Sequence, residues 1–483
     1  MKTSEIVKKF REVAARYPDR NAVIGPDSAY TYRELERRSA AVAKAIAERV
    51  KGPTMAMLYS NSPAFVPILF GALWAGKTVA VLPTLAPPPL LKLMVMEVGA
   101  ELVVASEEFV PRLMEVGIPC WIGDVSGKSD PESVPMAHRE LEHAVLLYTS
   151  GTTGRPKAVM LSERSILDNI EGCRTMSGFN ADQVMLAILP LFHAYGKTVT
   201  LLLPLVTGAT VVIPERFVPR AVLQTIETYK VTCLVAVPSQ YRVLSKESAD
   251  FDCSSLWLCM AGAERLPEQA ALEFERRFGH KILQGYGATE ISPVVSLNLP
   301  DSDRFGSVGK PLRNLEVTVR DEQGNLVPAG EIGEVCVKGT AVMLGYYRDP
   351  EATAKKIRSG VLYTGDKGFF DADGYLHLSG RADDLVKVSG EKVYPSEVET
   401  ALEAIHGVDE AAVVAFPDEK HGARLHAFVQ LKKDSDLNEA ALRATCRERL
   451  EPYKVPRTFQ FVEQMPRTIT GKTDKRALAA SAV

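Results

Sequence analysis

Between residues 54 and 287 the apolar positions gather into short runs: TMAMLY, TVAVLP, ELVVAS, AVLLYTSG, VMLAILP, ATVVIP, VTCLVAVP, LWLCMAGA and KILQGYG, mostly closed by Pro or Gly. Such runs predict strands buried on both faces, as in a parallel α/β sheet, with helices between them. Ahead of them, Ile6, Phe10, Val13 and Tyr17 recur at helical spacing, and Thr31 with Glu34 gives a capping-box signature for the helix through RELERRSAAVAKAIAERV. From about Ser307 the pattern becomes alternating strands with Gly-containing turns, LEVTVRDEQGNLVPAGEIGEVCVKG and GFFDADGYLHLSG, which predicts an antiparallel, barrel-like module. After GRADD a smaller unit restarts with LVKVSG, a helix opening at Ser396 with Glu399 as capping partner, EAAVVAFPD, LHAFVQLK, a helix over ALRATCRERL, and FQFVEQ. The expected class is α/β: a large N-terminal domain of parallel α/β sheets with a β-barrel-like module, residues 1–382, and a small C-terminal α+β domain, residues 383–483.

In open α/β sheets the ligand crevice lies beyond the carboxyl ends of the strands, which directs attention to the residues just after each run. Thr149-Ser150-Gly151-Thr152-Thr153-Gly154-Arg155-Pro156-Lys157 is dense in hydroxyls and potential backbone donors, with a cation close behind. Such a loop can wrap a phosphate, because glycine lets backbone N–H groups approach it and hydroxyls add donors. Its G-x-x-G-x-x-K spacing is not the Walker A pattern, and the plain alternative is a polar turn. In Gly285-Tyr286-Gly287-Ala288-Thr289-Glu290 an aromatic between glycines could stack on a flat base, and Thr289 with Glu290 could reach a phosphate and a divalent cation. A half-buried core aromatic and a solvated helix-opening acid are the alternatives there. In Tyr363-Thr364-Gly365-Asp366, with Gly380-Arg381 further on, a carboxylate can accept both ribose hydroxyls and a guanidinium can meet oxygen acceptors, although Asp in a Gly turn is commonplace. Pro466-Arg467-Thr468-Ile469-Thr470-Gly471-Lys472 offers a loop lysine beside a glycine, or a solvated surface lysine.

Composition narrows the partners. With 57 Lys and Arg against 60 Asp and Glu, a net charge of −3 and no long run of one sign, nucleic acid is not expected as a partner. The seven cysteines are scattered without a C-x-x-C pair, which suggests neither a zinc site nor a disulfide framework and fits a reducing cytosol. FVPILFGALWAG is too short to span a bilayer before Lys77, and the N-terminal SEIVKKFREVAARYPD reads as helix, so a cytoplasmic protein with no integral membrane segment is expected.

These motifs, in this order, resemble those of the adenylate-forming superfamily: acyl-CoA synthetases, acyl-carrier-protein ligases, peptide-synthetase adenylation domains and luciferases. The resemblance covers nearly the whole chain. It implies that YTSGTTGRPK is the phosphate loop, that Tyr286 stacks on adenine, that Thr289 touches phosphate and that Glu290 holds Mg²⁺. It implies further that Asp366 and Arg381 hold the ribose, that Asp383 is the pivot of a mobile C-terminal domain, and that Lys472 serves adenylation. Lys387 to Lys392, with Gly390, would then form the tunnel for the thiol of CoA or of carrier-protein phosphopantetheine. Ala261-Gly262-Ala263 and Gly287-Ala288 are small and would leave room along a pocket. Ala158 and Lys367 depart from the family pattern without removing a group that has an assigned role.

Amino-acid-activating relatives place an aspartate in the segment that here reads Pro190-Leu191-Phe192-His193-Ala194-Tyr195-Gly196. With no acid there, an α-ammonium would be desolvated without compensation, which favours a fatty or aryl acid. His193 would wall or gate the pocket, or else be a core histidine bonded to backbone. The expected reaction is ATP- and Mg²⁺-dependent conversion of a carboxylic acid, a fatty acid first, to acyl-AMP and then to acyl-CoA. The alternatives are an aryl-CoA ligase, an acyl-carrier-protein ligase, a luciferase-like oxidative member, an ATPase forming ADP, and a nucleotide-binding regulator without activity.

Overall fold

The computed structural model describes residues 2–149, 156–381, 384–418, 422–467 and 473–482. All nine apolar runs form strands, most of them covered on both faces; every residue of Thr54–Leu58 is buried. One seven-stranded sheet runs in the order Gly345–Tyr346, Lys157–Ser162, His143–Thr149, Thr78–Val81, Thr54–Leu58, Val103–Ala105 and Cys120–Ile122. Its last five strands are parallel, whereas Lys157–Ser162 returns antiparallel beside His143–Thr149. A second sheet of nine strands holds Val184–Leu186, Thr210–Val212, Cys233–Ala236, Leu258–Ala261 and Ile282–Gly287 at its centre, again parallel. One continuous core joins both sheets to the third, in which Val335 and Leu362 lie.

The stretch FVPILFGALWAG becomes the helix Phe65–Trp74, buried at every position and packed on the helix Tyr32–Arg49. That second helix carries the expected capping box of Thr31 and Glu34. The first helix, Glu5–Arg16, buries Ile6, Val7, Phe10 and Ala14, so its inner stripe turns slightly away from the Val13 and Tyr17 of the periodic reading. The barrel-like module is an antiparallel sheet of Glu316–Arg320, Gly333–Lys338, Val361–Phe370, Ile357–Arg358 and Leu376–Arg381. No helix among the described residues is long and apolar enough to cross a membrane.

Beyond residue 384, a hairpin of Val386–Val388 and Glu391–Val393 leads to a three-stranded sheet of Val408–Asp418, Gly422–Leu431 and Thr458–Phe461, around a core of its own. The capping expectation at Ser396 fails for a local reason. Pro395 occupies the first helical position, where a missing N–H costs nothing, so Ser396 falls inside the first turn. Its hydroxyl donates instead to Ser379 O at 2.8 Å, while the Glu399 carboxylate accepts from Val413 N at 2.7 Å and pairs with Lys475.

Candidate active site

The antiparallel strands His143–Thr149 and Lys157–Ser162 set Thr149 and Lys157 directly opposite each other at one end of the first sheet. Ser150, Gly151, Thr152, Thr153 and Gly154 lie outside the described residues. Lys157 Nζ stands 3.6 Å from Asp349 Oδ2 and 5.1 Å from the centre of the Tyr346 ring. The Tyr346 hydroxyl donates to Glu290 Oε1 at 2.8 Å, and Met343 N donates to Glu290 O at 2.8 Å. Burial first, then the Glu290 charge, holds the Tyr346 phenol protonated well above its ordinary range. A lysine and a carboxylate more than a hundred residues apart are thus joined through a tyrosine of the short strand Gly345–Tyr346, which pairs with Lys157–Ser162. Thr289 and Glu290 are half-buried in the turn after Ile282–Gly287.

A second assembly adjoins the first. Asp366 and Arg381 are cross-strand partners in the antiparallel sheet, so both side chains leave the same face. Asp366 Oδ2 accepts from the Tyr286 hydroxyl at 2.5 Å, and its Oδ1 lies 3.7 Å from Arg381 Nη1. The turn beneath is fixed from three sides: Thr364 Oγ1 donates to Val335 O, Gly365 N donates to Glu334 Oε1, and Lys356 Nζ donates to Thr364 O. Burial opposes the Arg381 charge, but Asp366, Asp384 and Glu290 outweigh it and the proton is held more tightly than usual. Glu290 and Asp366 therefore act on one guanidinium, which links the two assemblies.

Small residues here let neighbouring groups pack close. A Cβ on Gly262 would come within 2.9 Å of the Tyr195 ring, and one on Gly287 within 2.4 Å of Pro293 O. Ala263 is exposed in a left-handed conformation beside Gly262, and Gly285 sits close under Leu297 and Ser296. His193 is half-buried, its ring centre 4.5 Å from that of Phe192. The loop before it is clamped by Asn61, which accepts from Leu191 N at 2.9 Å and donates to Leu189 O at 2.7 Å.

Lys472 and Asp383 lie outside the described residues, but the residues that bracket the lysine loop are fixed. Arg467 and Thr473 form a bridge, and both bond the Glu410 carboxylate, Arg467 through 2.6 and 3.1 Å contacts and Thr473 at 2.6 Å. Across the domain contact, Arg242 of the helix Pro238–Ser245 lies 3.7 Å from Asp409 and 3.9 Å from Glu410, and Lys246 lies 3.1 Å from Asp409. The hairpin bearing Lys387 and Gly390 packs on Gly422–Leu431, with both residues exposed.

Tyr346, Asp349, Asn61 and Glu410 were not singled out from the sequence. Each acts through a partner distant along the chain and sits in no motif of its own. For Mg²⁺, the residues present fit: Glu290 is oriented through one oxygen by Tyr346, its Oε2 is uncommitted among the described residues, and Mg²⁺ commonly takes one or two carboxylates with substrate phosphates.

Residues 10–347 match the AMP-binding enzyme family and residues 397–472 match the AMP-binding enzyme C-terminal domain, in a fold shared with adenylate-forming enzymes. The chain belongs to the AMP-binding enzyme family. It is 36% identical to a long-chain-fatty-acid–CoA ligase of Bacillus subtilis (strain 168), in a match covering 73% of this chain and 64% of that protein. It is 32% identical to a sulfoacetate–CoA ligase of Cupriavidus necator, over 96% of this chain and 95% of that one. Among solved structures, the anthranilate CoA ligase AuaEII in complex with anthranoyl-AMP superposes with a TM-score of 0.90 at 28% identity, covering 99% of this chain and 97% of that chain.

Proposed function

We propose that this enzyme activates a carboxylic acid, a fatty acid or else an aryl acid, to acyl-AMP with release of pyrophosphate, and passes the acyl group to the thiol of CoA. AMP-forming ligation of an acid to CoA is the reaction class of the relatives; the acid, the use of Mg²⁺ and the residue roles are the proposal. The observation that carries it is the pair of adjoining assemblies, Lys157–Tyr346–Glu290 and Tyr286–Asp366–Arg381. One presents a cation and a carboxylate where a polyphosphate would lie. The other presents a carboxylate already oriented by a phenol for two ribose hydroxyls.

In the first half-reaction a carboxylate oxygen attacks the α-phosphorus, a new acyl–oxygen–phosphorus linkage forms, and the bond to the departing pyrophosphate breaks. In the second, the thiol loses its proton to solvent, its sulfur attacks the acyl carbon, and AMP leaves. Positioning and electrostatics do the work. Glu290 would hold Mg²⁺, whose contribution is to neutralise charge on the phosphates. Asp366 and Arg381 fix the ribose, Lys157 and the loop before it meet phosphate oxygens, and Lys472 sets its charge between the two approaching anions. The segment 190–196 contains no acid to meet an ammonium, which disfavours an α-amino acid.

A pivot at Asp383 between domains 1–382 and 383–483, a thiol tunnel along Lys387 to Lys392, and a cytoplasmic setting suited to seven free cysteines belong to the same proposal. Acid-dependent pyrophosphate release with ATP and Mg²⁺, over alkyl and aryl acids, each with CoA, with holo carrier protein or with neither, tests it. Turnover with CoA is expected. Turnover with carrier protein alone would change the acceptor, and no pyrophosphate with any acid would remove the reading.

A further inference from the structure

Arg242 belongs to no motif, and both carboxylates it pairs with among the described residues lie in the small domain, Asp409 at 3.7 Å and Glu410 at 3.9 Å. Its charge therefore acts across the domain contact rather than within the large domain. All three side chains are largely buried, so the attraction is stronger than in an exposed pair. At these lengths the contact works through charge and not through hydrogen bonds, so it can be made and broken without a fixed donor geometry. Lys246 also reaches Asp409 and Lys432 pairs with Glu273, but Lys246 is half exposed and contributes little.

The two acids that Arg242 meets hold both ends of the segment that carries Lys472. Asp409 Oδ2 accepts from Gln430 Nε2 at 3.0 Å, and Gln430 Oε1 accepts from Met465 N at 3.0 Å. Glu410 accepts from Arg467 and from Thr473, the residues on either side of 468–472. The location fits this link. The parallel strands Cys233–Ala236, Leu258–Ala261 and Ile282–Gly287 end side by side, and they lead to the helix of Arg242, to Ala263 and Arg265, and to the turn of Glu290. Glu403 and Glu399 of the small domain act on the Arg265 charge, and Glu399 pairs at 2.7 Å with Lys475, three residues beyond Lys472. The small domain is thus seated at the strand ends that bear Glu290, with both ends of the lysine segment tied to the seat.

We propose that Arg242 is a positioning residue for adenylation, which through Asp409 and Glu410 sets the small domain so that Lys472 is presented to the carboxylate and the α-phosphate. The inference rests on the assignment of adenylation to Lys472 above, and adds to it a large-domain residue that touches no substrate. Arg242 faces these acids only while the small domain is seated in this way. A contact made in one arrangement and lost in the other shifts the population toward the first and gives nothing to the second. Adenylation should therefore depend on Arg242, and thioester formation should not. Because a small misplacement of a charged group costs much of its effect on a reacting centre, a loosened seat is felt in the rate of the first step.

The test uses the full chain and the alkyl or aryl acid that turns over fastest, and compares acid-dependent pyrophosphate release with conversion of supplied acyl-adenylate and CoA to thioester. Arg242→Ala is expected to slow the first about tenfold, through kcat with KM for ATP unchanged, and to leave the second as fast as in the wild type or faster. Arg242→Lys should keep most of the rate. Arg242→Asp should be slower than Arg242→Ala, and adding Asp409→Arg should recover part of that loss, since the pair is rebuilt with its charges exchanged. Equal losses of Arg242→Ala in both half-reactions, with Lys472→Ala still selective for the first, keep the lysine assignment and overturn this one. A loss that follows a fall in Tm and is not recovered by the exchanged pair makes Arg242 a structural residue and also overturns it. Lys472→Ala losing both half-reactions equally removes the assignment on which the proposal rests, and absence of pyrophosphate with every acid removes the ligase reading with it.

Discussion

Lys472→Ala is expected to lose at least about 10² in acid-dependent pyrophosphate release, while still converting supplied acyl-adenylate and CoA to thioester. The reason is the charge balance of the first step. A carboxylate and an α-phosphate are both anions, and their approach builds up charge that only a cation between them can relieve in a water-poor cleft. A lysine suits the task because it is a compact charge on a flexible stem that can be withdrawn afterwards. In the second step the adenylate is already formed and the attacking sulfur needs no such bridge, so the loss should be confined to one half-reaction. Glu410, which ties down both Arg467 and Thr473, fixes where the loop starts and ends. Its substitution should therefore give a weaker copy of the same asymmetry. Equal losses in both half-reactions of Lys472→Ala would assign the lysine a structural part and leave the adenylation step without its cation.

The strands were legible because burial on both faces leaves runs such as MAML and CLVA without a polar position, and every residue of the strands that hold them is buried. The same argument could not find Lys157–Ser162, whose mixed burial interrupts the run. Motifs announced Tyr286 with Glu290 and Asp366 with Arg381, but spacing could not reveal the contacts by which they meet. The pairing of Asp366 with Arg381 depends on a register that shifts at Lys367/Gly368, and Tyr346 reaches Glu290 only because a two-residue strand docks on Lys157–Ser162. Tertiary register, unlike periodicity, leaves no mark in a single chain. Lys197 did leave one. It is the only charged residue between Leu189 and Val212, in LPLFHAYGKTVTLLLPLVTGATVV. A lone cation in an apolar stretch reads as a solvated edge, and only the fold shows that it is buried.

That burial makes Lys197→Met a stabilising substitution whose size depends on pH. The folded protein binds the Lys197 proton with a pKa of about 7, against an ordinary value of 10.5. Above the ordinary value the amine is neutral in both states and the charge costs nothing. As pH falls toward about 7 the unfolded chain takes up a proton that the folded chain does not, so stability should drop by about 1.4 kcal/mol per pH unit and then level off once both states are protonated. The full displacement amounts to somewhat under ~5 kcal/mol, and imperfect repacking of methionine would return about 1 kcal/mol of it. At neutral pH, Lys197→Met should therefore raise the Tm of the large domain by several degrees, and near pH 10 the two proteins should melt almost together. Other groups titrate across the same range, but they are common to both proteins and drop out of the difference. Parallel melting curves over this window would mean that the ammonium is solvated or paired.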